Sequence, residues 1–521
     1  MKNSVKSIIW KLTKATTFTL VFIILLNQLL VLFTPKWFED RWFSIRATNS
    51  FYDLEDNSLE VFCVGPSNMA SAIDPYQMYE EYGISAYNLG FVSQPPIGSY
   101  YWVKEAIKNH NIKAVVYEVK PISKKESKIE SGARKSFDTM EWGLNKLQYA
   151  INYCKYSQLE ADNKNAEGDD SAEGAEYINY LFPLSVYHSR WTDLKEEDFA
   201  VVTGDDIGRS KTRGWAMITS TSKRDYKGQK SLVKEGELPS YNETNTLYLK
   251  KMIELCQEND IEIILMKAPD SSWGPSPSTY VQNIADEYGV EFIDFNSMDM
   301  MEEIGYDYYY DGADAIHTNI RGAKKLTAYI GKYLKDNVQL TDFREDRANN
   351  KELEEGLSIY KYALEDYSLR MINNADEYFE RIKGDQYSYI LVSGGNASLP
   401  FTDQQKFALE SIGIENKVFE NLDDDTNTIV FVDGDNTRYV SESVTDSEGN
   451  TVSTSIEGVM KNGLEYKITS APGQAYFQIG ANTETIKFVG RVNLVVYDNE
   501  SNQVADIVAI NNNNGKIGFS R

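Results

Sequence analysis

Leu59-Glu60-Val61-Phe62-Cys63-Val64-Gly65-Pro66-Ser67-Asn68 decides the fold. The stretch Leu59–Val64 is short and almost wholly apolar, as a strand buried on both faces must be. Gly65-Pro66 breaks it, and Ser67 follows at once. Farther along, Ala114–Val119, Glu262–Met266 and Glu291–Phe295 are three more short apolar runs. Amphipathic helical stretches lie between them, such as Ile97–Asn109 and Asn245–Asn259. Strands alternating with helices predict an α/β domain whose parallel sheet is sandwiched by helices. In such folds ligands bind beyond the carboxyl ends of the strands, which is where Ser67 stands. A serine after a strand also suits a helix N-cap, so Ser67 alone carries two readings.

Upstream, Ala15–Phe33 contains no charged residue and is long enough to cross about 30 Å of hydrocarbon as a helix. Lys2, Lys6, Lys11 and Lys14 precede it and Glu39 and Asp40 follow, which places the N-terminus in the cytoplasm and the bulk outside. Trp10, Trp37 and Trp42 suit the two interfaces, and Asn27 and Gln28 suit contact with another helix. A cleaved signal peptide is the alternative, but Phe33-Thr34-Pro35-Lys36-Trp37 offers no small-x-small cleavage site. The expectation is a single-pass anchor in the cell membrane.

Length and charge bound the rest. The chain has 521 residues, enough for two or three domains at roughly 100–200 residues each. Lys+Arg is 53 and Asp+Glu is 78, a formal charge of −25 that repels nucleic acid and anionic headgroups. Cys63, Cys154 and Cys256 are too scattered for a disulfide framework and read as small core residues. With 3 histidines in the chain, no His-rich metal site is available.

Residues 161–176 carry no large apolar side chain and read as a solvated loop. Residues 349–383 read as one or two joining helices. Beyond residue 385 come short strands at Tyr389–Val392, Thr428–Val432, Tyr466–Ser470, Phe477–Ile479 and Asn493–Tyr497, with one helix at Gln404–Ile412. Turn residues such as Asp433-Gly434-Asp435-Asn436 separate them. The expected organisation is a tip and anchor over 1–36, an α/β domain over 45–340, a helical linker over 341–383 and a mixed β-rich domain over 384–521.

The chemistry lies in two places far apart in sequence. Asp311-Gly312-Ala313-Asp314-Ala315-Ile316-His317-Thr318-Asn319 contains D-x-x-H ahead of a final helix. Asp314 can orient the His317 imidazole, and His317 can take the proton of Ser67. Asn88-Leu89-Gly90 lies about twenty residues after the serine.

In this order and spacing, residues 59–335 resemble the SGNH/GDSL hydrolase superfamily, closest to its membrane-anchored DltD-like branch of envelope proteins. Gly65-Pro66-Ser67-Asn68 stands where that family has Gly-Asp-Ser, and Asp314 and His317 stand in its last block. The resemblance implies a flavodoxin-like sheet, Ser67, Asp314 and His317 as catalytic triad, and Gly90 and Asn68 at the oxyanion. No cofactor is implied. It also implies acyl-ester hydrolysis or O-acyl transfer on a cell-envelope polysaccharide or polymer, and a multi-spanning membrane acyltransferase as partner. The family's third block departs: Lys120-Pro121 follows Ala114–Val119 where an oxyanion asparagine is expected. That gap keeps a second reading open, a non-catalytic assembly or glycan-binding protein on a degenerate scaffold. The C-terminal region resembles a circularly permuted ILEI/PANDER-like domain through Ile390–Ile412, with Phe401-Thr402-Asp403 leading into its helix, Thr428–Asp433 and Arg491–Asp498, which implies a binding or packing module.

Three further residues are candidates for substrate binding. His188 and Arg190 would share a face of an extended segment, where Arg190 could hold an anionic group or pair with one of the many carboxylates. Lys267 follows the third apolar run and stands at the same sheet edge as Ser67. His110, in Lys108-Asn109-His110-Asn111, reads as a solvated helix end.

Overall fold

The computed structural model describes residues 2–34, 39–123, 130–166, 173–194, 211–234, 236–395, 402–415, 417–420, 425–480, 482–487, 492–513 and 516–521. The chain divides into two compact units, Met1–Leu353 and Glu354–Arg521.

The first unit opens with helices α1 (Lys2–Phe33) and α2 (Glu39–Tyr52). Within α1, Ile9–Phe33 reaches a mean hydropathy of 2.2 with none of that window buried, so it is long and apolar enough to span a membrane. Trp37 lies outside the described residues. Then come β1 (Val61–Gly65), α3 (Ser67–Ala72), α4 (Pro75–Tyr82), β2 (Ala86–Gly90), α5 (Pro96–Asn109) and β3 (Ala114–Glu118). After β3 lie α6 (Glu130–Asp138), α7 (Leu144–Ala166), α8 (Tyr177–Leu181), α9 (Leu184–Tyr187), α10 (Glu243–Glu258) and β4 (Glu262–Lys267). The unit closes with α11 (Pro275–Tyr288), β5 (Glu291–Asp294), α12 (Met298–Glu303), α13 (Tyr308–Asp311) and α14 (Ile320–Asn337).

The five strands form one parallel sheet in the order β2-β1-β3-β4-β5. Every residue of β1, β2 and β3 is buried, which is why these strands are continuous rather than alternating in hydropathy. Phe62, Val64, Leu89 and Tyr117 face one core, with Trp102 of α5 and Leu249 of α10. Val61, Cys63 and Val116 face the other, with Leu326 and Ile330 of α14. The chain reverses its direction of strand addition between β1 and β3, the switch point where open α/β sheets place their ligands. Ser67 begins α3 immediately above it.

Two expectations about solvation fail in this unit, the first of them only in part, since residues 173–176 are irregular. Residues 161–166 continue helix α7, and Ala161 is buried, because Tyr149, Ala150 and Cys154 of the same helix pack into the core; residues 167–172 of that stretch lie outside the described residues. His110 is 5% exposed rather than solvated, edge-on to Phe51 of α2, and its Nδ1 lacks a hydrogen-bond partner. Burial, with Arg213 nearby, pulls its pKa down to about 4.

The second unit contains α15 (Lys351–Leu369, which straddles the boundary) and α16 (Ala375–Ile382), followed by β6 (Tyr387–Gly394) and α17 (Asp403–Glu410). After the short α18 (Lys417–Glu420) come β7 (Thr426–Asp433), β8 (Asn436–Ser443), β9 (Thr454–Val459), β10 (Glu465–Ala471) and β11 (Gln474–Ile479). The last strands are β12 (Asn482–Lys487), β13 (Val492–Asp498), β14 (Gln503–Asn513) and β15 (Lys516–Ser520). A six-stranded sheet, β15-β14-β13-β6-β7-β8, stands beside a four-stranded one, β12-β11-β10-β9. Strand alternation splits the core cleanly. Leu391 and Val430 meet Tyr378, Phe379 and Leu409 of the helices, while Ile390 and Ile429 meet Ile468 and Phe477 of the smaller sheet. The helices read as a linker therefore supply part of this core. Phe401 and Arg491 lie outside the described residues.

Asp366 of α15 is 2% exposed and lies against the equally buried Asp498; Oδ1 of Asp366 lacks a partner. Burial first, and the Asp498 charge second, push its pKa up to about 8. These two groups should therefore pull the pH response of their units in opposite directions. His110 is neutral when folded and titrates near 6.5 when unfolded, so its contribution is present above about pH 6.5 and falls by about 1 kcal/mol at pH 5.5. Asp366 keeps its proton longer in the fold than the unfolded value of about 4 allows, so stability falls by about 2 kcal/mol as pH rises from 5.5 to 7.5. Calorimetry at both pH values checks this: His110→Phe should flatten the pH response of the first unit alone, and Asp366→Asn that of the second.

Candidate active site

Ser67 is the first residue of α3, but it does not cap that helix. Pro66 occupies the N-cap position with extended backbone and no side-chain cap bond forms. The serine side chain is thus free of the structural task that its position suggested. Its Oγ lies 2.8 Å from His317 Nε2. His317 Nδ1 in turn lies 2.8 Å from Asp314 Oδ2. A carboxylate holding Nδ1–H leaves Nε2 as the acceptor for the serine proton.

The loop that carries the pair is built by the same aspartate. Oδ1 of Asp314 accepts the backbone N–H of Ile316 at 2.8 Å and of His317 at 2.9 Å. One carboxylate oxygen folds the loop and the other orients the ring. Burial works against the charged form of Asp314, but the bonds from His317 and from these amides prevail and hold its pKa below the usual value. Asp314 therefore stays ionised through neutral pH. Asn319, the N-cap of α14, closes the loop from behind: its Nδ2 donates to the carbonyls of Ser220, Tyr310 and Gly312. Asn68 ties the loop to α3, with Nδ2 2.6 Å from the Ile316 carbonyl. The site opens to solvent, with 56% of the Asp314 side chain and 20% of His317 exposed.

Gly65 and Gly90 are needed for close approach. Gly65 has φ +151, and a Cβ there would sit 2.9 Å from Glu118 Cβ. A Cβ on Gly90 would sit 2.5 Å from the Ala70 nitrogen and 2.9 Å from the Pro66 carbonyl oxygen. The Gly90 N–H faces Asn88 Oδ1 at a long 3.3 Å. Gly90→Ala should force α3 off the sheet, costing about 1–3 kcal/mol in thermal denaturation and slowing every reaction of Ser67. The amides of Ser67 and Asn68 open α3, so no carbonyl of that helix reaches them.

The other sequence candidates lie elsewhere. His188 and Arg190 stand on a 3-10 turn, His188–Thr192, rather than an extended segment. His188 Nδ1 meets the carbonyls of Leu184 and Ser185. Arg190 donates Nη1 to the Phe33 carbonyl at the end of α1. Neither joins the triad. Lys267 is 0% exposed and so is not a substrate contact; its Nζ lies 2.7 Å from Glu118 Oε1 and 3.5 Å from Asp270 Oδ2. Burial opposes its charge, but the two carboxylates prevail and raise its pKa.

That network fills the end of β3, where an asparagine was expected. Glu118 Oε2 accepts the Lys120 N–H, and Lys120 Nζ reaches Asp270 Oδ2 at 2.5 Å and Ser272 Oγ at 2.8 Å. Neighbouring Ser271 binds the Ala315 carbonyl through both N–H and Oγ, so the network reaches the His317 loop. An irregular strap over residues 212–229 is the second feature that sequence reasoning missed. Its Arg213 carbonyl accepts from Asn88 N, Ala216 N donates to the Ala70 carbonyl, Ser222 N to Gly312 and Gln229 N to Asn296. It therefore holds both α3 and the loop that carries His317, and no periodicity announces it.

No protein-family model and no curated protein matches the chain.

Proposed function

We propose that the protein is a membrane-anchored, extracytoplasmic serine esterase or O-acyltransferase acting on a cell-envelope polysaccharide or polymer. One observation carries the reading: the unbroken chain from Ser67 Oγ through His317 to Asp314, with 2.8 Å at each link, at the switch point of the sheet. The resemblance to the SGNH superfamily and its DltD-like branch supports the same chemistry.

In this reading Ser67 Oγ attacks the ester carbonyl while its proton passes to His317 Nε2. The tetrahedral oxyanion is met by the free amides at the start of α3, Ser67 and Asn68, with Gly90 N–H able to turn from its long bond to Asn88. His317 then protonates the leaving alcohol, and an acyl-enzyme remains. Water as second nucleophile gives hydrolysis, and a sugar or polyol hydroxyl gives transfer. An exposed triad suits a polymer segment better than a small engulfed ester. The apolar α1 supplies the anchor, and a multi-spanning acyltransferase could deliver acyl groups beside it.

A non-catalytic scaffold is the second reading. It is favoured by the ion network that occupies the end of β3, where the third-block asparagine is expected. Labelling of the purified chain with a fluorophosphonate probe separates the two. An activated serine labels at residue 67 and loses the label in His317→Ala, whereas a folded protein that never labels refutes the catalytic reading.

A further inference from the structure

We propose that the apolar face formed by α7, α8 and the 3-10 turn at 188–192 rests in the headgroup region of the bilayer that α1 enters. This rests on reading α1 as a membrane anchor.

Helix α7 is apolar on two sides over its first half. Tyr149, Ala150, Tyr153 and Cys154 face the core. Leu144, Leu147 and Ile151, spaced for one face, point away from it and are 68%, 40% and 43% exposed. Ile178 and Leu181 of α8 continue the face at 55% and 39%, and Trp191 ends it at 69%. Soluble surfaces rarely leave such side chains contiguous and uncovered. An open groove of about 580 Å³ between α7 and α8 carries Lys155, Gln158 and Glu176 beside Leu159, Tyr177 and Ile178, polar groups at an apolar edge.

The position of the face identifies what covers it. α8 touches α7, α9 touches α8, and both α9 and the 3-10 turn touch α1. Arg190, one residue from Trp191, donates to the Phe33 carbonyl in the last turn of α1. A cation there satisfies an otherwise unpaired carbonyl and complements the negative end of the helix dipole. The elements that carry these exposed side chains therefore run, one touching the next, to the end of α1. Leucine and isoleucine with Trp, Arg and Lys at the edge is the composition of a surface that lies in a membrane interface. The net charge of −25 favours zwitterionic over anionic lipid.

The test uses the full chain in phosphatidylcholine vesicles containing doxyl-labelled lipid. The native cysteines are buried, so a bimane label goes to an introduced thiol. Leu147→Cys, Ile178→Cys and Trp191→Cys probe the face; Leu25→Cys probes α1, and Lys332→Cys, on the exposed side of α14, is the aqueous control. The expected result is quenching of about twofold at 25, 147, 178 and 191, and none at 332. Quenching at 25 but not at 147, 178 and 191 would overturn the proposal and leave the anchor standing. A blue shift at those three sites without quenching would assign the face to a protein partner and also overturn it. Absence of quenching at 25 would remove the anchor itself.

Discussion

Ser67→Ala should reduce ester turnover by about 10⁶-fold and abolish fluorophosphonate labelling, while the protein stays folded. The magnitude follows from the geometry. In the proposed mechanism Ser67 Oγ carries the acyl group, and its 2.8 Å contact with His317 Nε2 is the contact through which its proton would leave. His317→Ala should cost about as much, and the double variant little more, because the two act as one device. Asp314→Asn should cost about 10⁴-fold, since an amide at Oδ2 selects the wrong imidazole tautomer. The fold should tolerate Ser67→Ala within about 0.5 kcal/mol, because Pro66 and not Ser67 stands at the N-cap. Thermal denaturation checks the stability and turnover of an aryl ester checks the rate. Wild-type activity in Ser67→Ala would end the catalytic reading.

The sequence positions that bring Ser67, Asp314 and His317 together were legible because their signals are local. An apolar run ending in Gly-Pro-Ser places a side chain at a sheet edge, and D-x-x-H puts carboxylate and imidazole in one short loop. Strands buried on both faces were legible for the same reason; Val61–Gly65 and Ala114–Glu118 are continuous in hydropathy. β2 was read only as a glycine block. Its Asn88 is buried because Nδ2 closes the Met69 and Ile73 carbonyls at the end of α3, a contact set by packing.

What stayed hidden depends on distant partners. His110 looks like a helix end, yet Phe51 from α2 packs edge-on against it. Lys267 looks like a pocket residue until Glu118 from the neighbouring strand is seen to neutralise it. Arg190 was read against carboxylates, and one of its bonds goes to a main-chain carbonyl of α1 that no sequence pattern announces. In the second unit, β9 has one buried position, and its remaining side chains are partly or fully exposed, so it forms no apolar run; β11 shows only its Phe477–Ile479 half in the sequence. β8 is exposed at most positions and has almost no hydropathy signal.

Lys267→Met should lower the stability of the first unit by about 3–5 kcal/mol, and its unfolding midpoint by roughly 10 °C. Lys267 and Glu118 are both 0% exposed, so removing the ammonium leaves a buried carboxylate with the Lys120 N–H as its remaining hydrogen-bond donor. Asp270 suffers less, because Lys120 Nζ and Ser272 still hold it. The cost should therefore come from the stranded Glu118 charge rather than from lost attraction. A second substitution tests that directly. Glu118→Gln on the Lys267→Met background removes the charge and should restore most of the stability, a coupling of about 2 kcal/mol or more. Activity should follow the same pattern. Ser271, beside Asp270, holds the Ala315 carbonyl of the loop that presents His317, so disorder at the ends of β3 and β4 reaches the imidazole. If Lys267→Met unfolds like the wild type, the network is not what supports the loop, and Asn319, Asn68 and the strap over residues 212–229 hold it without that help.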